Sequence, residues 1–148
     1  MSAPGYQDIP NANIPELMSE KGSIIRVLAG DYKGQKGAVT TQSVKPQFFD
    51  FHLVANESLN LATQTTHNGF LYVYEGEIEV AGKVLAKGQL GVLDFANELV
   101  LETKDCARAI FVSGEPINEP VVQYGPFVMN SQEEINQALR DFQQGVFA

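Results

Sequence analysis

From Phe48 to Ser113 the chain is divided into short apolar-rich runs with turn residues between them. That spacing restricts the fold to a sandwich or jelly-roll barrel of antiparallel strands. The runs cover Phe48 to Val54, Ser58 to Thr63, Gly69 to Val80, Lys83 to Ala86, Gln89 to Asp94, Glu98 to Thr103 and Ala107 to Ser113. In Glu77-Ile78-Glu79-Val80 apolar and charged residues alternate with period two, as they do where one sheet face packs inward and the other meets water. Ala81-Gly82 and Lys87-Gly88 supply the hairpin turns that such closely spaced strands need. Upstream, Ser23 to Ala29 is a further β-branched run stopped by Gly30. The stretch Gly30 to Gly37 (GDYKGQKG) lacks the Gly-Lys-Ser/Thr ending of a phosphate loop, so turns with positive φ account for its glycines.

The period changes near the end. Ser131 followed by Glu134 is a capping box, and Ile135, Ala138, Leu139 and Phe142 recur at helical spacing before Gly145. One short amphipathic helix therefore ends the chain, with an apolar stripe that needs cover. At the other end Pro4, Pro10 and Pro15 stand among Gly, Asn and acidic residues, a pattern of extended backbone. We read residues 1–22 as an extended arm or linker and residues 23–148 as one domain.

Ten basic residues against eighteen acidic ones give a net charge of -8, which repels nucleic-acid backbones; nucleic acid is not an expected partner. No apolar run approaches the roughly 20 residues that span a bilayer. No basic flank precedes an apolar stretch at the N-terminus, so no secretory signal is read. With a single cysteine, Cys106, a reducing, cytoplasmic location is the expectation.

A metal centre needs three or four convergent His, Cys or carboxylate donors. Only two histidines exist. His52 shares a strand face with Asp50, and His67 sits in the turn before the long strand. They are the sole histidine candidates for a metal site, which Asp50 or a Glu would have to complete, and a hydrogen-bonded structural role is expected for each. Cys106 has no histidine nearby in sequence to act as its base and reads as a small structural hydrophobe. Phe70, Tyr72 and Tyr74 share one strand face as barrel packing or the lining of a pocket, with Glu75 beside them as a turn residue. No catalytic residue, cofactor-binding residue or cofactor is assigned.

The stretch from His67 to Gly76 (HNGFLYVYEG) resembles the first motif of the cupin superfamily, and Gly88 to Asp94 (GQLGVLD) resembles the second. More specifically, Arg26 to Gly34 (RVLAGDYKG), Ser113 to Pro120 (SGEPINEP), Gly125 to Asn130 (GPFVMN), Glu133-Glu-Ile and Asp141 to Phe147 (DFQQGVF) resemble the C-terminal half of pirin proteins. The resemblance runs from Tyr6 onward and implies a cupin double-stranded β-helix with one C-terminal helix. Pirins are typically two tandem barrels, and the resemblance places their iron site, three histidines and a glutamate, in the N-terminal barrel. Tyr6 to Pro10 resembles the segment joining the halves, and the second motif here holds no histidine. The expectation is thus a pirin-like module that docks with a protein or with itself rather than an independent enzyme. The expected partners are a second copy in a homodimer, a separate N-terminal-type barrel or another protein. The alternatives are a metal-dependent, quercetinase-like dioxygenase using His52 and His67, and a small-molecule-binding barrel.

Overall fold

A computed structural model describes residues 6–39, 44–94 and 97–146. These residues fall into two compact units, Asp8–Pro116 and, with Tyr6 and Gln7, residues 117–146.

The larger unit holds two facing sheets. After a single 3-10 turn at Asn11–Asn13 come β1 (Glu16–Met18), β2 (Ile24–Ala29), the short pair β3 (Asp31–Tyr32) and β4 (Gln35–Lys36), then β5 (Gln47–Leu53), β6 (Ser58–Ala62) and β7 (Asn68–Glu75). They are followed by β8 (Glu77–Val80), β9 (Lys83–Ala86), β10 (Leu90–Leu93), β11 (Glu98–Glu102) and β12 (Ala107–Gly114). One sheet has the order β1-β2-β5-β12-β7-β10 and the other β6-β11-β8-β9, with antiparallel pairing throughout. This is the expected all-β architecture, and strands from both sheets contribute to one core.

Alternation builds that core. Phe49, Phe51 and Leu53 of β5, Leu71 and Val73 of β7, Ala109 and Phe111 of β12, Ile78 of β8, and Leu61 and Leu101 of β6 and β11 all point inward and are buried. Phe49 stacks on Phe111 with ring centroids 5.7 Å apart and meets Tyr32 and Phe51 edge-on. The barrel interior is therefore filled by side chains. Burial, with a smaller contribution from the charge of Glu57, pushes the Tyr32 phenol up to about 12.

The run expected as one strand from Gly69 to Val80 is two, because it changes sheets at Gly76. There φ is +71°, and a Cβ would lie 2.4 Å from the Cys106 carbonyl oxygen and 3.0 Å from Ala107 Cα. Only glycine turns this corner without strain. Gly76→Ala is expected to destabilise the fold by about 2 kcal/mol, read as a lower urea midpoint at unchanged slope; an unchanged midpoint would show that the corner relaxes freely.

The polar N-terminal segment joins the sheet earlier than expected. Within the proposed arm of residues 1–22, Glu16, Leu17 and Met18 pair with Arg26, Ile25 and Ile24, and Leu17 packs on the core. A run of three residues is too short to carry an alternation signal of its own, and the neighbouring strand β2 recruits it. Residues 1–5, including Pro4, lie outside the described residues.

The smaller unit is a hairpin of β13 (Val122–Tyr124) and β14 (Phe127–Met129) followed by α1 (Gln132–Gln144). The helix begins and ends as its sequence predicts. The Ser131 side chain accepts from the Glu134 amide, Glu134 reaches back to the Ser131 amide, and Gly145 closes the helix in the left-handed region. Ile135 and Ala138 are buried, whereas Phe142, read as part of the same stripe, is 66% exposed and touches Phe127 edge-on. Among the described residues, no helix is long and apolar enough to cross a membrane.

Candidate functional site

The candidate residues are distributed over opposite faces of the six-stranded sheet. His52 pairs across the sheet with Ile24 and Arg108, and it points outward, since Phe51 and Leu53 on either side point in. His67, at the start of β7, is buried, and its Nδ1 lies 3.3 Å from Ser113 Oγ. Arg108 and Ser113 are five residues apart on β12, about 17 Å along a strand. The two histidines therefore cannot share a ligand.

On the outer face, Asp50 is the centre of a polar cluster. Its Oδ1 accepts from the Tyr74 hydroxyl at 2.8 Å, and its Oδ2 lies 3.2 Å from His52 Nε2 and 3.6 Å from Arg26 Nη1. Arg26 also pairs with Glu16 at 3.2 Å and donates to Asn11. Burial and the hydrogen bond to the Asp50 carboxylate push the Tyr74 phenol well above its ordinary value. Every partner of Asp50 comes from the barrel's own strands, so the cluster is electrostatically complete without a ligand.

Phe70, Tyr72 and Tyr74 are on this same outer face, half-buried, rather than in the barrel interior, because the register of β7 turns Leu71 and Val73 inward. With apolar residues on both faces of β7, alternation alone could not say which set would be inside. Cys106 likewise departs from its reading as a structural hydrophobe. It stands exposed in the turn before β12 begins at Ala107, where the inward alternation starts.

At the inner end near His67, a cleft of about 480 Å³ is lined by Gly30, Lys36, Lys45, Gln47, Gln64 and His67 among others. Ser113 donates to Gln47 Oε1 at 3.0 Å. Its proton is thereby directed away from His67, and the imidazole is the donor in their contact. The pair lacks the arrangement of a base withdrawing a serine proton.

The third polar group was missed in sequence because its members are far apart in the chain. Glu57 is buried at the opposite end of the barrel. Its Oε2 accepts from Ser19 and Ser23 hydroxyls at 2.5 Å each, and its Oε1 accepts from the Ser58 amide at 3.1 Å. The Glu57 amide donates to Thr103 Oγ1, which in turn donates to the Val54 carbonyl. Burial raises the Glu57 carboxyl, but the two hydroxyls, the Ser58 amide and the Lys21 charge outweigh it and hold the group below its ordinary value. These contacts bind the β1–β2 turn to the β5–β6 and β11–β12 turns.

None of the three arrangements fits a bound metal: among the described residues, no group of three or more His, Cys, Asp and Glu side chains is placed to hold one. The sequence matches the pirin C-terminal cupin domain over residues 48–148. The chain belongs to the pirin family. A mouse protein named "Pirin" is 34% identical over 96% of this chain and 50% of its own length. A Pseudomonas aeruginosa protein named "Putative quercetin 2,3-dioxygenase" is 40% identical over 97% of this chain and 53% of its own. The crystal structure of a quercetin 2,3-dioxygenase from Acinetobacter baumannii superposes with a TM-score of 0.85 at 35% identity, covering 97% of this chain and 51% of that one. The cupin fold with one C-terminal helix expected from the resemblance is thus established. The chain spans about half the length of these pirin-family relatives.

Proposed function

We propose that this pirin-type barrel is a docking module that works through contact with another barrel rather than through a reaction centre of its own. The filled interior carries this reading. Phe49, Phe51, Phe111, Leu71 and Leu101, all buried, pack together in the barrel interior. The two histidines lie on opposite sheet faces, and the hydrogen bonds of Ser113 leave it unactivated. The competing reading takes the dioxygenase activity named for the relatives as a property of this half alone. It would require His67 to gather a group of three or more metal-ligating side chains, and among the described residues none is placed so.

The test is a turnover assay of the purified full chain with quercetin, oxygen and added ferrous iron, nickel or copper. No turnover above the metal-only control is expected, and elemental analysis is expected to find less than a stoichiometric metal after desalting. Turnover that disappears in His67→Ala, or about one metal per chain lost in that variant, would sink the docking reading.

A further inference from the structure

The barrel carries a cleft at each end, and the two differ in charge. At the Glu57 end a cleft of about 460 Å³ is lined by Glu57, Glu77, Glu79, Glu102 and Asp105 against one cation, Lys104. In a chain of net charge -8, that cleft repels anions. At the His67 end the cleft of about 480 Å³ sets Lys36 and Lys45 against Asp31 and Glu115, a balance of two charges on each side. Its volume lies within the range of small-molecule sites, roughly 300–1,000 Å³.

The groups left open in this second cleft decide what it can take. Glu115 is occupied by Lys45 at 3.2 Å, and Asp31 Oδ1 accepts from the Gly34 amide at 2.7 Å. Lys36 has no ion-pair partner among the described residues. Gln47 Oε1 is taken by the Ser113 hydroxyl, which leaves the N–H groups of the Gln47 amide for the cleft. Gly30 brings these donors together: its carbonyl accepts from the Gly37 amide, next to Lys36, at 2.8 Å, and a Cβ on it would lie 3.2 Å from Gln47 Cγ.

The buried acceptor is His67. It is only 9% exposed, and its Nδ1 proton is committed to Ser113 Oγ, so Nε2 carries the lone pair. Nε2 has no hydrogen-bond partner among the described residues. It is not sealed in either, since among them Tyr32 Oη is the one enclosed side-chain polar atom without a partner. His67 also lines a side pocket of about 10 Å³, room for about one water, so anything larger meets the imidazole from the cleft. A largely buried lone pair without a partner costs free energy that a donor on a ligand returns.

We infer that this cleft binds a small hydroxycarboxylate, an organic acid carrying hydroxyl groups beside its carboxylate. The carboxylate takes the Lys36 ammonium and the Gln47 N–H groups, and a hydroxyl donates to His67 Nε2. An acid without hydroxyls leaves the imidazole unpaired, and a polyol without a carboxylate leaves Lys36 unused. The site adds a ligand to the docking module, involves no reaction, and stands or falls independently of the docking reading.

Titration calorimetry of the full chain with D-gluconate is expected to show saturable binding, and the His67 imidazole resonances are expected to move with it. Hexanoate, which keeps the carboxylate and the chain length, and sorbitol, which keeps the hydroxyls, should each bind at least about tenfold more weakly. His67→Asn keeps a group for the Ser113 contact and removes the Nε2 acceptor; Lys36→Ala removes the open cation. Each should weaken gluconate binding about tenfold or more, whereas Glu79→Gln, in the other cleft, should leave it unchanged. Should His67→Asn lose its far-UV circular dichroism, Lys36→Ala and the imidazole resonances of the wild type carry the test. Absence of both heat and imidazole shift at tens of millimolar gluconate overturns the inference. So does equal binding of hexanoate or sorbitol, or gluconate binding that survives the Lys36 and His67 substitutions.

Discussion

Phe49→Ala is expected to lower the free energy of unfolding by about 3–5 kcal/mol. Phe49 is fully buried, and its ring joins β5 to β12 by stacking on Phe111 and to β3 by its edge contact with Tyr32. Truncation removes the transfer free energy of the ring and also leaves a void that three aromatic neighbours are too stiff to fill. Strands β5 and β12 are paired along seven residues, Gln47 to Leu53 against Ala107 to Ser113, so the backbone cannot move inward to close the void. Domains of this size are stable by about 5–15 kcal/mol in total, so the variant should sit near its unfolding threshold at 37 °C. Phe49→Leu, which keeps much of the volume, should cost less than half as much. Urea denaturation followed by circular dichroism measures both. A loss below about 1 kcal/mol for the alanine variant would mean that the interior is not close-packed and holds usable space, which would also weaken the docking reading.

The legibility of the chain follows the range of the forces involved. Strand positions between Phe48 and Ser113 were readable because alternation and Gly-bearing turns are local signals, and, apart from the run Gly69 to Val80, which is two strands, the observed ends fall within about two residues of those expected. The helix was readable to its caps, since Ser131, Glu134 and Gly145 each act within one turn of their own position. Which face of a strand is buried is not local information. Leu71 and Val73 face the core and Phe70, Tyr72 and Tyr74 face outward because of the register with β12 and β10, which depends on the whole sheet. The same applies to β1, a three-residue strand fixed by pairing with β2, and to the hairpin β13–β14, which sequence reading left without structure. The polar groups divide in the same way. Asp50 and His52 are two residues apart and were read as sharing a face, which they do. Glu57 joins residues 34 to 46 positions away, and nothing in its neighbours Asn56 and Ser58 announces the hydroxyls of Ser19 and Ser23 or the Thr103 oxygen.

Glu57→Ala is expected to cost about 3 kcal/mol and to do so in a pH-dependent manner. The carboxylate accepts three hydrogen bonds from Ser19, Ser23 and Ser58, and its loss leaves those donors without their partner at a largely buried position. The sign of the pH dependence follows from the direction of its shift. The folded carboxyl is held below its ordinary value, so the unfolded chain takes up a proton first, near the usual glutamate value of about 4.3. The stabilisation is fully present above that value and is lost as the pH falls through the lower folded value. Glu57→Gln separates charge from shape, because the amide keeps one acceptor and nearly the same volume but cannot ionise. At pH 7 the wild type should be more stable than Glu57→Gln by about 1–2 kcal/mol, and the gap should narrow steadily as the pH is lowered from about 4.5 toward 3. Urea midpoints for both chains across that range decide the matter. A gap that stays constant, or widens in acid, would show that the carboxyl is not ionised in the folded barrel and that the hydroxyls of Ser19 and Ser23 hold it by shape alone.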